Sequence, residues 1–191
     1  MTSEQAIDWR FVLDANVLLQ APIRDTILRL AEAEIIAVFW SPAILAEVER
    51  SFARVSGADE AQQRYVRLLT ALRENFPLAF TDDRPDLLPN LPIAVHDRHV
   101  LACALDAPAS IILTYNTRHF PAGALAPYGI RVWHPGTLLD SVLQQFPEAL
   151  QSSLIAQGAA MHPPRTLSQI LARLAQDIPR FVAEAQRRFG A

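Results

Sequence analysis

The residues with chemistry to explain are acids set in apolar surroundings. In "FVLDANVLL", residues 11 to 19, Asp14 is a lone carboxylate with no base inside the run. At the point where a strand gives way to a loop, such a group either caps the next turn or serves as a hard oxygen ligand for Mg²⁺ or Mn²⁺. Asn16, two residues on, suits holding that loop better than binding metal. In "SPAILAEVERSF" the apolar stripe is Ile44, Leu45, Val48 and Phe52, and Glu47 and Glu49 fall on its opposite borders, so spacing does not choose between them. Asp97 opens "DRHVLACAL", where an N-cap is the structural alternative. Asn116 and His119 follow an apolar run in "TYNTRHF". Each residue alone has an ordinary use. Their order is more informative: acid after a strand, acid in the next long helix, acid opening a later helix, amide after a later strand.

The elements that must position these groups alternate. "WRFVLD" reads as a strand and "DTILRLAEAE" as a helix. "IIAVFW" reads as a buried strand, and "SPAILAEVERSFARV" as a helix with Ser41 at the N-cap and Pro42 in its first turn. Residues 58 to 75 carry another amphipathic helix, and "PLAFTDDRPDLLPNLP" reads as loop. A helix from Asp97, strands at "SIILT" and "GIRVW", and a helix at "PGTLLDSVLQQF" complete the alternation. That pattern predicts a mainly parallel sheet covered on both faces, with ligands gathering at the carboxyl ends of its strands. Beyond Phe146 only helices are expected: "EALQSSLIAQGAAM", then "RTLSQILARL" with Thr166 and Gln169 in capping-box spacing, then a last helix capped by Asp177. The last helix carries apolar positions at Ile178, Phe181, Val182, Ala185 and Phe189. Its face must be covered by this chain or by another, which makes a homodimer an expectation.

Composition narrows the function. At 191 residues and 51% hydrophobic, the chain has ample material for a core. No apolar run approaches the ~20 residues that span a bilayer, so no membrane association is expected. "MTSEQAIDWR" lacks the basic and apolar regions of a secretory signal, and the cytoplasm is the expected location. A single cysteine, Cys103, excludes an internal disulfide and a cysteine-based zinc site. All 17 basic residues are arginine, and the net charge of -3 argues against broad coating of nucleic acid. Local arginine surfaces remain: Arg50 with Arg54, and Arg64 with Arg67, each pair on one helix face.

"FVLDANVLL", "SPAILAEVERSF", "DRHVLACAL" and "ILTYNTRHFPAGAL", followed by "GIRVWHPGTLL", resemble in type and order the PIN domain, and in particular the VapC-like toxins of bacterial toxin–antitoxin pairs. The resemblance covers roughly residues 9 to 140. It implies an α/β class, a three-layer α/β/α PIN-like fold with a central, mainly parallel sheet over residues 9–146, and C-terminal helices over 147–191. It assigns metal-binding acids to Asp14, Glu47 and Asp97, choosing Glu47 over Glu49. Asn116 matches a place where many members carry a fourth acid and others an amide. Two departures stand out: relatives often have a further acid just before "DRHV", where this chain has "LPIAVH", and an acid after the late His-Pro, where Gly136 stands.

The implied activity is hydrolysis of RNA phosphodiester bonds by an endoribonuclease dependent on one or two Mg²⁺ or Mn²⁺ ions, leaving 5′-phosphate and 3′-hydroxyl ends. Asn116 would position water or metal and Arg98 would touch a substrate phosphate, while His99 and His119 would be structural. The implied partners are the RNA substrate and a small antitoxin protein that blocks the acidic site. The competing class is a catalytically inert PIN-like module that binds RNA or protein, motivated by the two departures. A phosphatase with an early aspartate nucleophile fits poorly, because it wants a second acid where Asn16 stands.

Overall fold

The computed structural model describes residues 9–55 and 57–190; the first eight residues, most of the decapeptide "MTSEQAIDWR" in which no secretory signal is expected, lie outside that set. The first strand, β1 (Arg10–Leu13), leads into a short helix α1 (Ala15–Leu19). The run "FVLDANVLL" is thus half strand and half helix, where strand followed by loop was expected. The switch occurs at Asp14, whose backbone carbonyl accepts from Val17 N at 2.9 Å and Leu18 N at 3.3 Å.

Helix α2 (Ala21–Glu32) starts earlier than the expected residue 25, with Pro22 in its first turn, where a missing N–H costs nothing. It ends in a Schellman closure: Glu34, at φ 57°, donates to Ala31 O and Ile35 donates to Leu30 O, both at 3.0 Å. Strand β2 (Ala37–Phe39) and helices α3 (Pro42–Val55) and α4 (Ala58–Asn75) follow. The proline-rich stretch after α4 forms isolated 3₁₀ turns, the last of them spanning Val95–Asp97. Then come α5 (Arg98–Asp106), β3 (Ile111–Leu113), α6 (Ala122–Leu125), β4 (Arg131–Trp133), α7 (Pro135–Gln145), α8 (Pro147–Ala159), α9 (Leu167–Leu174) and α10 (Pro179–Phe189). The Thr166–Gln169 capping box forms as predicted. Asp177 does not cap the last helix: the N-cap position falls on Ile178, without a side-chain hydrogen bond.

All strand pairings are parallel, in the order β2-β1-β3-β4. Successive strand residues face opposite sides of a sheet. Phe11, Val12, Leu13 and Ile111, Ile112, Leu113 are nonetheless all fully buried, so helices cover both faces. This is the α/β/α arrangement. The chain passes from β1 outward to β2 and then back across β1 to β3, so the crevice of the sheet opens between the carboxyl ends of β1 and β3. Leu13 pairs with Leu113, which places Asp14 opposite Thr114 at that point.

The C-terminal helices complete the same core. Helix α8 packs on α2, α9 against α8 and α2, and α10 against α7 and α9. Gln157 accepts from Thr26 Oγ1 at 2.7 Å and donates to Pro22 O at 3.1 Å, satisfying a buried polar contact between α8 and α2. Phe181, Val182 and Ala185 are buried within the chain. The apolar face that suggested a dimer is therefore covered intramolecularly. Among the described residues, no helix is long and apolar enough to cross a membrane.

All three tryptophans, Trp9, Trp40 and Trp133, lie in or beside the sheet, far in sequence from α9. Leu171 is fully buried in α9. Its replacement by alanine is expected to cost about 2–5 kcal/mol in one urea transition read by tryptophan fluorescence. An unchanged tryptophan transition would mean that the last helices fold independently of the sheet.

Candidate active site

Asp14 is held from two elements at once, helix α1 and the segment after β3. Thr114 Oγ1 donates to its Oδ2 at 2.6 Å, and Asn16 Nδ2 donates to the same oxygen at 2.7 Å and to Thr114 Oγ1 at 2.9 Å. Asn16 Oδ1 in turn accepts from Tyr115 N at 3.1 Å. Asn16 thus ties α1 to the segment after β3, the loop-holding role its sequence position suggested. Asp14 begins α1 through its backbone, but its carboxylate makes no capping hydrogen bond. Burial raises its pKa, opposed by the Thr114 hydrogen bond and reinforced by the charge of Glu47.

Asp14, Glu47, Asp97 and Asn116 line one open cleft of about 660 Å³ at the carboxyl edge of the sheet. Glu47 points into it from α3. Glu49 does not line it and instead acts electrostatically on Tyr65 of α4. The His99 imidazole, with Nε2 3.1 Å from Glu47 Oε2, is the main cause of the lowered pKa of Glu47. The two atoms are close but not ideally aligned, and His99 Nε2 is buried.

Asp97 sits at the N-cap position of α5 but does not cap it. Its carboxylate lies between two imidazoles: His96 Nε2 is 3.1 Å from Oδ2, and His119 Nδ1 is 3.3 Å from Oδ1. Oδ2 is buried and lacks an aligned hydrogen bond. Among the described residues, His96, Asp97 and His119 form the one group of three potential metal donors within 4.8 Å of one another. The oxygens of Asp14, Glu47 and Asp97 share the cleft without converging that closely.

Arg98 departs from its expected place on the substrate. Its guanidinium donates to the carbonyls of Ile93, Leu88 and Pro89 at 3.0 to 3.2 Å, fastening the preceding loop, and it does not line the cleft. Arg50 and Arg54 do line it. They sit three and seven residues after Glu47, on the same face of α3, a spacing visible in the sequence. Gly136 lies outside the cleft, against His134 and Ile178, where a Cβ would meet atoms at 3.2 and 3.4 Å. The missing acid there takes nothing from the cleft. Cys103 is buried, and desolvation pushes its thiol up to about 12, so it stays protonated and unreactive.

A larger recess of about 970 Å³ opens beside β2 and the turn after α4. Among the described residues it gathers no group of three potential metal donors, so volume alone does not mark the chemistry. What the smaller cleft offers is hard oxygen donors, imidazoles and two arginines facing solvent, a set suited to a cation and a phosphate.

A PIN domain match spans residues 10–118, from β1 to just past Asn116. "Putative ribonuclease VapC50" of Mycobacterium tuberculosis is 35% identical over 121 residues, covering 63% of this chain and 72% of that protein. No solved structure matches the chain. With the parallel sheet and the acids at its carboxyl edge, these likenesses establish that the chain belongs to the PIN-domain family and is VapC-like.

Proposed function

We propose that this chain is a divalent-metal-dependent endoribonuclease, the toxin of a toxin–antitoxin pair, acting in the cytoplasm. In this proposal residues 9–146 carry the nuclease and residues 147–191 form a helical extension. The observation that carries the reading is the meeting of Asp14, Glu47, Asp97 and Asn116 around one cleft at the switch point of the sheet. The ribonuclease likeness supports RNA as the substrate class.

The residues present fit a divalent cation. Asp97 Oδ2 is buried without an aligned partner, and Asp14 is a buried carboxylate next to the charge of Glu47. Both would be relieved by positive charge. Asp14, Glu47 and Asp97 would hold Mg²⁺ or Mn²⁺, one ion or two. Bound there, the metal supplies charge neutralisation at the phosphate and a nucleophile at neutral pH.

The chain's own residues do the positioning. Thr114 and Asn16 fix the Asp14 carboxylate by occupying Oδ2. His99 holds Glu47 at the cleft mouth in its charged form. Asn116, exposed on the turn after β3, orients water or a phosphate oxygen with its amide. Arg50 and Arg54 draw the RNA backbone to an otherwise acidic surface, which reconciles phosphate binding with a net charge of -3. A small antitoxin protein that places a segment in this cleft would block metal or substrate.

Asp14→Asn tests the reading. The amide oxygen can replace Oδ2 as acceptor for Thr114 and Asn16, so the fold is retained while the ligand charge is lost. Cleavage of a mixed RNA pool with Mn²⁺ or Mg²⁺ should disappear both in EDTA and in this variant. Persistence of intact RNA with the wild-type chain, across tRNA and rRNA substrates, would favour the inert binding module instead.

The raised pKa of Asp14 sets the sign of its pH effect on stability. A folded-state value above the unfolded one means that the ionised group opposes folding, so its contribution falls as pH rises through the interval between the two. In EDTA, Asp14→Asn should melt at or above the wild type, with a margin that grows across that interval. Added Mn²⁺ should raise the wild-type melting temperature but not that of the variant.

Arg50→Ala and Arg54→Ala should each raise KM by about tenfold through loss of a charged phosphate contact, with kcat less affected and a shallower dependence of KM on salt. Equal KM values in steady-state assays of all three proteins would remove these arginines from substrate binding.

A further inference from the structure

We infer that His96, Asp97 and His119 form a second metal site, selective for a first-row transition ion of the Zn²⁺ type, on the rim of the cleft. The site does not rest on the nuclease reading, although it shares Asp97 with it.

Three observations support it. First, the donor atoms converge: His96 Nε2 and His119 Nδ1 lie 3.1 and 3.3 Å from opposite oxygens of Asp97, and all three residues offer a donor within 4.8 Å of the others. A tetrahedral ion with bonds of about 2.0–2.1 Å separates its ligands by about 3.4 Å, so each imidazole already lies near that spacing from one Asp97 oxygen, and a small shift would bring the three donors around one ion. His96, 74% exposed, has room to adjust. Second, Asp97 Oδ2 is buried and poorly satisfied even with an imidazole nitrogen at 3.1 Å, so the carboxylate lacks a well-placed partner on that side. Third, the backbone that presents the donors is ordered by its own hydrogen bonds. His96 and Asp97 lie in the 3₁₀ turn before α5, closed by Asp97 N to Ala94 O at 3.0 Å. His119 lies in the turn after β3, closed by His119 N to Asn116 O at 2.9 Å and anchored by Asn116 N to Thr114 Oγ1 at 3.0 Å.

Donor chemistry decides the ion. Two imidazoles and one carboxylate suit Zn²⁺, Co²⁺ or Ni²⁺, whereas Mg²⁺ prefers oxygen ligands in an octahedral shell. Three protein ligands leave a fourth position for water or a phosphate oxygen. The cleft would thus join an oxygen-donor centre for a hard ion to a nitrogen-rich one for a softer ion, with Asp97 common to both.

The test is titration of the tag-free, chelator-stripped full chain with Zn²⁺ and with Co²⁺, followed by calorimetry and by the visible absorption of four-coordinate Co²⁺, with Mg²⁺ for comparison. One Zn²⁺ should bind per chain at this site, with a Co²⁺ band of tetrahedral intensity. His96→Ala and His119→Ala should each weaken binding by at least tenfold and remove the band. Asp14→Asn, which damages only the nuclease centre, should keep both. Binding unaffected by either histidine substitution, loss of Zn²⁺ binding in Asp14→Asn equal to that in the histidine variants, or no saturable Zn²⁺ binding at all would overturn the assignment. Far-UV circular dichroism checks folding, and if His119→Ala unfolds, the exposed His96→Ala decides the result alone.

Discussion

A carboxylate buried at the junction of two strands is the constraint on which the site depends. Ionised Asp14 pays a desolvation cost that its two hydrogen bonds only partly offset. It is tolerated because the surrounding core over-determines its place: Leu13 and Leu113 are fully buried and paired in register, so Asp14 and Thr114 must face each other. The result is a preformed negative centre with one oxygen fixed by the protein. A cation there would offset the same desolvation that raises the pKa of Asp14.

The remaining polar groups of the cleft are arranged around that centre by elements of different kinds. Helix α3 brings Glu47, Arg50 and Arg54 on one face, so acid and base reach the cleft from a single rigid support. Asp97 and the imidazoles come from short turns at the ends of α5 and β3. These turns are stapled from behind: Arg98 holds the loop before α5 through three carbonyls, and Thr114 holds the turn after β3 through Asn116 N. Arg98 therefore contributes to the site by fixing its frame. The C-terminal helices close the core over α2 and α7 and contribute no residue to the lining of the cleft.

Much of the scaffold was legible from local pattern. Ser41 and Pro42 start α3, the amphipathic period bounds α4 at residues 58 and 75, and the Thr166–Gln169 spacing produces the capping box. Local pattern failed where one run serves two elements. "FVLDANVLL" is apolar on both sides of its polar residues because both β1 and α1 are buried, and apolarity alone does not distinguish a strand from a buried helical turn. It failed again at Asp177, where the good capping residue is one position too early for the helix that packing dictates.

By itself the sequence determined the alternation of strands and helices, the set of polar residues interrupting apolar runs, and the family to which their order belongs. These are properties of residue type and spacing along the chain. Only the tertiary structure decided which polar residues share a cleft: it placed Glu47 inward and Glu49 toward α4, turned Arg98 onto the loop, and set His96 and His119 on either side of Asp97. The physical reason is that side-chain direction at a turn or helix border is settled by strand register and by what packs behind it. Residues such as Asp14 and Thr114, a hundred positions apart, become neighbours only when β1 and β3 pair.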